Sequence, residues 1–429
     1  MKMMKCLVCG EIFDPALTVC PVCGVGKEKF VEIEVEEQSF TRDTEDVYVI
    51  LGNGTAGLSA AKAIRERDRT GIIFLVSKEP HPSYHRPMLT KQLSKQVKAE
   101  ELEVCEDGWY EEHQIIQMLE KTVSSIDMEE RKVSFIDETW LKYDKLIYAM
   151  GAESFIPPIQ GREKPQVIAI RTIEDTEKIR KLLPEIKSAV VIGGGVLGLE
   201  AAWELKKSGC QVTVLELAPQ LMGRQLDPEA GEWLKAIAQD AGIAIHTGVQ
   251  IHSIEGEEKV TGVMLEDGTC FTAELVIISC GVRANTAIAA AAGIKTDRAV
   301  VVDEHMRTNF SNVFACGDCA QYEGVNYAVW PEASDQGAVA GANAAGEAVS
   351  YRQEAPGLFF QGMNTALFAI GDTGKNPQLI YETEEEKDME KRQYRKLYYA
   401  EGQLKGGILI GDVSDMGELM EHMQGRKKA

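Results

Sequence analysis

VVIGGGVLGLEAAWELKKSGCQVTVLE, residues 190–216, decides how the rest of the chain is read. An apolar run at 189–192 enters the spacing Gly193-x-Gly195-x-x-Gly198, an amphipathic segment follows, and a second apolar run at 212–215 ends in Glu216. Short apolar runs on either side of a helical period predict a strand, a helix and a second strand. The first glycine makes a tight turn, the second lets a pyrophosphate approach the backbone, and the third lets the helix pack closely on the strand. The helix N-terminus then faces the phosphates. Glu216 falls where an acid binds the 2′-hydroxyl of an adenosine ribose. A carboxylate there favours NADH over NADPH, because a 2′-phosphate would meet a like charge.

A second unit of the same kind, VYVILGNGTAGLSAAKAIRERD at 47–68, carries Gly52-x-Gly54-x-x-Gly57. Two such units about 140 residues apart mean two nucleotide-binding halves. At 429 residues, 44% hydrophobic and 26% charged, the chain has ample core for several domains. No apolar run approaches the roughly 18 residues of a membrane span. The N-terminus enters a cysteine pair without the apolar stretch of a secretory signal, so a cytoplasmic protein is expected. A formal charge of −21 argues against nucleic acid or an anionic membrane as partner, since both require a positive face.

Four of the ten cysteines lie in KCLVCGEIFDPALTVCPVCGVGKEKF at 5–30, as Cys6-x-x-Cys9 and Cys20-x-x-Cys23. Each pair predicts a knuckle with its thiolates on one side, and the glycine after it (Gly10, Gly24) permits the turn. Two knuckles make a tetrahedral four-thiolate cage, which suits iron or zinc. The local sequence, with Phe13 between the pairs, resembles rubredoxin and the shortened rubredoxin-like modules of rubrerythrins, and that resemblance implies iron. It departs from rubredoxin at Glu11 and Val19, where aromatic residues are common. Zinc remains the alternative. The acidic stretch 36–46 is expected to be a tether; if flexible it spans roughly 20 Å.

The two-unit layout resembles the flavoprotein pyridine-nucleotide reductases over about 300 residues, with FAD on the first unit and NAD(P)H on the second. That implies an α/β fold with two Rossmann-like domains, a small N-terminal rubredoxin-like metal domain and a small α+β C-terminal domain. Expected boundaries are 1–35 for the tetracysteine domain, 36–46 for the linker, 47–154 with 272–349 for the FAD domain, 155–271 for the NAD(P)H domain and 350–429 for a C-terminal interface or dimerisation domain. PSYHRPMLTK at 82–91 resembles the corresponding segment of the ferredoxin and rubredoxin reductase branch. The resemblance gives Arg86 to the FAD pyrophosphate or ribose and sets Lys91 near flavin N5 with Glu200 as its partner. Glu79 is the nearest carboxylate for the FAD ribose.

YDKLIYAMGAES at 143–154 and LVIISCGVRANTAIA at 275–289 resemble the two crossings between the halves, at Gly151 and Gly281. MRTNFSNVFACGDCAQ at 306–321 resembles the segment whose aspartate, here Asp318, accepts a hydrogen bond from the ribityl chain. Trp330 opens a stretch resembling the helix that points at flavin O2. Cys316 and Cys319 bracket Asp318 and are expected to be packed thiols. No cysteine falls between Cys23 and Cys105, so the flavin-facing redox cysteine of the disulfide reductases has no counterpart. YETEEEKDMEKR at 381–392 reads as a solvated charged loop.

The reading these features support is an NADH-dependent FAD oxidoreductase delivering electrons to a rubredoxin-type iron centre, its own or that of a rubredoxin, rubrerythrin or flavodiiron protein. The sequence pattern also lies close to the flavin-binding part of assimilatory nitrite reductases, without a second four-cysteine region for nitrite chemistry. Two alternatives stay open: a NADH reductase recruited to a partner through a zinc-ribbon module, and a NADH-responsive redox-sensing protein.

Overall fold

The computed structural model describes residues 2–8, 10–22, 24–34, 39–95, 97–354 and 356–423. It divides into two compact units, one of 1–86, 98–153 and 282–353, the other of 87–97, 154–281 and 354–429.

The first unit is built on a five-stranded parallel sheet in the order Val313–Ala315, Lys145–Tyr148, Val47–Leu51, Ile72–Val76, Ile115–Met118. Its central strands are apolar on both faces, as a parallel sheet covered by helices requires, and Tyr48, Ile50, Leu51 and Ile147 are buried. The helices Thr55–Arg67 and Trp330–Ala344 pack against each other through glycines. A Cβ at Gly337 would come 2.2 Å from the Ala56 carbonyl oxygen and one at Gly341 2.3 Å from that of Ala60. Only glycine at these positions, four apart on one helix face, lets the backbones meet.

The N-terminal cysteine module belongs to this unit. It is a three-stranded antiparallel sheet, Ile12–Phe13, Lys2–Cys6, Phe30–Glu34, with Phe13 and Phe30 edge to face at 4.7 Å as its small core. Of the expected 36–46 tether, residues 36–38 lie outside the described residues. Residues 39–46 are fastened by buried Asp68, which accepts from the Thr44 hydroxyl and amide, from Tyr48 Oη at 2.8 Å and from the Gly71 amide at 3.0 Å. Arg42 adds an ion pair to Asp46 at 2.9 Å.

The second unit holds another five-stranded parallel sheet, ordered Val167–Ile168, Leu275–Ile278, Ser188–Ile192, Gln211–Glu216, Ile243–Thr247. Leu275–Ile278 belongs to this sheet, so the chain returns to the first unit at 282 rather than at the expected 272. A hairpin closes at Gly268, which takes φ +84°, between Gly262–Leu265 and Cys270–Thr272.

The C-terminal segment is a five-stranded antiparallel sheet, Leu358–Gly362, Thr365–Gly371, Gln403–Ile410, Gln393–Ala400, Glu382–Asp388, followed by the helix Met416–Met423. Its inner residues Phe360, Leu367, Tyr394 and Ile408 share one core with Leu199, Leu205 and Leu234. The charged stretch read as a loop is largely strand: Glu382–Asp388 is the outermost strand, paired along its length with Gln393–Ala400 and exposed along most of it. Among the described residues no helix is long and apolar enough to cross a membrane.

Candidate functional site: two dinucleotide cradles and a cysteine cage

Each glycine loop shows the same pattern of crowding. Gly52 takes φ +111°, and a Cβ there would lie 2.1 Å from the Ala149 carbonyl oxygen; at Gly57 it would lie 1.8 Å from that of Gly52. At Gly54 it would meet nothing within 4 Å. In the second unit Gly193, at φ +114°, and Gly198 are blocked at 2.2 and 2.1 Å by the carbonyl oxygens of Ser279 and Gly193, while Gly195 again faces open space. The first and third glycines are demanded by the protein itself. The middle one is demanded by nothing in the protein, which is what a loop approached by a ligand requires. Gly54 and Gly195 are also the N-caps of their helices, and neither supplies a side-chain cap, so the first amides stay available to an anion.

Glu216 stands at the end of its strand with one carboxylate oxygen accepting from the Gly194 amide at 2.6 Å and the other from the Ala218 amide at 2.7 Å. It is thereby fixed against the second glycine loop.

In the first unit the structure brings Glu79, Arg86 and Asp318 together. Glu79 accepts from Tyr84 Oη at 2.7 Å and from Arg86 at 2.9 Å. Burial works against the Arg86 charge, but Tyr84, Glu79 and Asp318 outweigh it and raise the guanidinium pKa. Gly317, at φ +77°, turns the chain at Asp318, and its amide donates to Gln336 Oε1 at 2.9 Å. Gly151 also needs a positive φ, +62°, and is tied to Asn285 at 3.0 Å. Ser83 Oγ, His85 Nδ1 and Trp330 Nε1 are buried without a hydrogen bond of proper geometry. Three unsatisfied polar atoms buried in the first unit fit a large polar cofactor such as FAD.

Lys91 and Glu200 lie within the second unit and meet at 3.7 Å. Glu200 is 5% exposed and accepts from Thr90 Oγ1 at 2.6 Å. Burial raises its pKa against the pull of Lys91. One turn further along the same helix, Glu204 accepts from Ser94, four residues after Thr90. The repeated four-residue spacing was visible in the sequence as Thr90/Ser94 against Glu200/Glu204 and went unread. Gly281, at φ +92°, has nothing within 4 Å of its Cβ position. Another group that sequence reasoning missed is Glu332, in the first turn of the helix that Trp330 opens, whose carboxyl is pushed by burial up to about 7.

Cys316 and Cys319 are both buried. Burial raises both thiols, Cys319 to about 12, and Cys319 donates to the carbonyl oxygens of Tyr148 and Cys316 at 3.3 Å.

The cysteine module shows one turn twice. The Gly10 amide donates to the Cys6 carbonyl and the Gly24 amide to the Cys20 carbonyl, each at 2.9 Å, with φ +77° and +75° at the glycines. The Cys6 amide then donates to Glu11 O and the Cys20 amide to Val25 O. Cys6 and Cys20 are both buried, each at the start of this repeated turn, which fits two knuckles of one thiolate cage. Cys9 and Cys23 lie outside the described residues, and among the described residues no cluster of three metal-ligating side chains is present.

The pyridine nucleotide-disulphide oxidoreductase family matches residues 46–337, spanning both cradles. The chain belongs to that family. The rubredoxin NAD+ reductase C-terminal domain matches residues 359–427. A nitrite reductase (NAD(P)H) of Bacillus subtilis is 33% identical over 383 residues, 88% of this chain and 47% of that protein. The chain spans about half the length of curated relatives of this kind. Among solved structures, the ferredoxin reductase for the CYP199A2 system of Rhodopseudomonas palustris is 31% identical, with a TM-score of 0.79 over 86% of this chain and 92% of that one. The NADH:rubredoxin oxidoreductase of Clostridium acetobutylicum is 26% identical, with a TM-score of 0.75 over 90% and 96%. No cysteine lies between Cys23 and Cys105.

Proposed function

We propose that the chain is an NADH-dependent flavoprotein reductase that passes electrons from NADH through FAD to iron held by its own four cysteines, and from there to a small iron protein. The observation that carries this reading is the pair of glycine loops, each closed to the protein at its outer glycines and open at the middle one, in a chain that begins with two cysteine knuckles. Named relatives that reduce rubredoxin and ferredoxin support a carrier of that kind as acceptor.

Bound FAD would supply the conversion of a two-electron hydride donor into single electrons, so that one NADH and two ferric centres give NAD+, one proton and two ferrous centres. The chain's own residues bind and orient. Gly54 and the amides after it take the pyrophosphate, with Arg86 as its counter-charge, and Glu79 takes the ribose. Asp318 accepts from the ribityl chain, and the helix that Trp330 opens turns its positive end toward charge that develops on reduction. Lys91 is the fixed ammonium for the same charge, with Glu200 holding it. Glu216 selects the unphosphorylated ribose. Gly151 and Gly281 let the chain pass close to the cofactors.

The test is an anaerobic NADH titration of purified protein followed by visible absorption, with iron and zinc measured on the same sample. Loss of both the flavin and the ferric-thiolate bands, with about one iron per chain bound by four thiolates, is the expected result. Flavin bleaching in a protein reconstituted with iron whose ferric bands persist would overturn the internal route.

A further inference from the structure

We infer that the cysteine module is seated on the first unit by its first knuckle, with Gly10 resting on Pro331 and Glu11 facing the Lys62 side of the body. The inference deepens the proposed function and rests on it for its purpose, which is to hold the metal cage at a fixed place beside the flavin cradle.

Three separate elements of the body converge on the knuckle. From the start of the helix Trp330–Ala344, Pro331 offers its ring: a Cβ built on Gly10 would lie 3.1 Å from Pro331 Cβ, so the knuckle backbone itself rests on the proline. From the helix Thr55–Arg67, Lys62 projects its ammonium over the Trp109 ring at 5.2 Å and acts electrostatically on both Glu11 and His85. From the segment before Arg86, the buried His85 ring stands 6.0 Å from that of Trp330, the residue before Pro331. Glu11, next to Gly10, is half-buried and within electrostatic reach of Lys62. Glycine at position 10 is needed for its φ of +77°, and it also lets the knuckle lie closer to Pro331 than most Cβ atoms would. The cysteine spacing shows the first demand as a turn and is silent on the second.

The anchoring of 39–46 by Asp68 shortens the tether independently of this contact, which lowers the entropy lost on seating. Glu11 and Lys62 are positioning residues in this arrangement; neither ligates the metal or lines the cradle.

The experiment uses the full-length holoprotein and a charge swap: Glu11→Lys, Lys62→Glu and the double variant, with metal content matched. Hydrogen exchange is followed at 10–13 and 329–336, alongside the rates at which NADH reduces the module's metal and an artificial one-electron dye. Each single variant is expected to speed exchange in both segments about tenfold and to slow metal reduction, with the dye rate unchanged and the double variant recovering most of both losses. Exchange at wild-type rates in both single variants overturns the seating. Exchange that follows the swap while NADH leaves the metal oxidised supports the seating and overturns the internal electron route instead.

Discussion

The middle glycines separate binding from folding. Gly54 has extended backbone, φ −68° and ψ −176°, and empty space at its Cβ position, so Gly54→Val should leave the melting temperature of the flavin-free protein unchanged. It should weaken FAD binding by about 100-fold or more, close to 3 kcal/mol, as read by flavin retention on dialysis. Gly57→Ala should do the opposite, because its Cβ would strike the Gly52 carbonyl, and a loss of about 2–4 kcal/mol in denaturant unfolding is expected. Glu216→Arg should shift the ratio of kcat/KM values toward NADPH by about tenfold or more. It should also cost stability, since the Gly194 and Ala218 amides lose their acceptor. Glu332 supplies a pH dependence. Its carboxyl is raised from 4.5 to about 7, chiefly by burial, so the folded flavin-free protein holds that proton more tightly than the unfolded chain. Its contribution is complete below about 4.5 and is lost as pH climbs through about 7. Unfolding of wild type and Glu332→Gln at pH 5 and pH 8 should therefore diverge, with the variant gaining about 2 kcal/mol relative to wild type at the higher pH. Equal stability differences at the two pH values would remove the effect.

At the scale of elements, Asp227 joins a helix to a sheet. It caps the helix Pro228–Asp240 through the Ala230 amide at 2.7 Å and accepts from Tyr398 and Lys396 of the C-terminal sheet, the latter at 3.0 Å. Hydrogen bonds from those partners outweigh burial and hold its carboxyl below the usual range. Asp227→Ala removes a helix cap and the acceptor of the buried Tyr398 hydroxyl at once, while Lys396 keeps Glu385 at 3.2 Å, so about 2–4 kcal/mol should be lost in urea unfolding. Glu229→Ala, which breaks only the exposed pair with Lys387, should cost under about 1 kcal/mol. The elements readable in the sequence were those whose cause is local: the glycine loops and the twin cysteine turns. Those misread depend on distant partners. Residues 39–46 look like a tether until Asp68 is seen beneath them. Glu382–Asp388 looks like a solvated loop because its strand pairing is with Gln393–Ala400, and its ion pairs run to Lys396 and Arg395 on that neighbour. Lys91 and Glu200 were paired through resemblance, whereas Thr90 and Ser94, at the same four-residue spacing as the two glutamates they hold, gain their meaning only when the segments lie side by side.

For the whole molecule, the cysteine module and the two cradles are separable in function if the proposed route is right. Replacing Cys6 and Cys20 by serine in the full chain should end electron delivery to a rubredoxin-type acceptor, while NADH-to-dye turnover stays within about twofold of wild type. Continued reduction of the protein acceptor would place the exit elsewhere. The outermost strand of the C-terminal sheet bears on a different property of the molecule. Its backbone leaves one row of amides and carbonyls open to any strand that approaches, the usual template for fibrous aggregation. Glu382, Glu384, Glu385 and Glu386 crowd that row with negative charge. A like strand from another copy would have to bring its own carboxylates against them. They act as gatekeepers, and the cost of their removal would appear in the colloidal behaviour of the protein, as turbidity on concentration, before it appeared in folding or turnover.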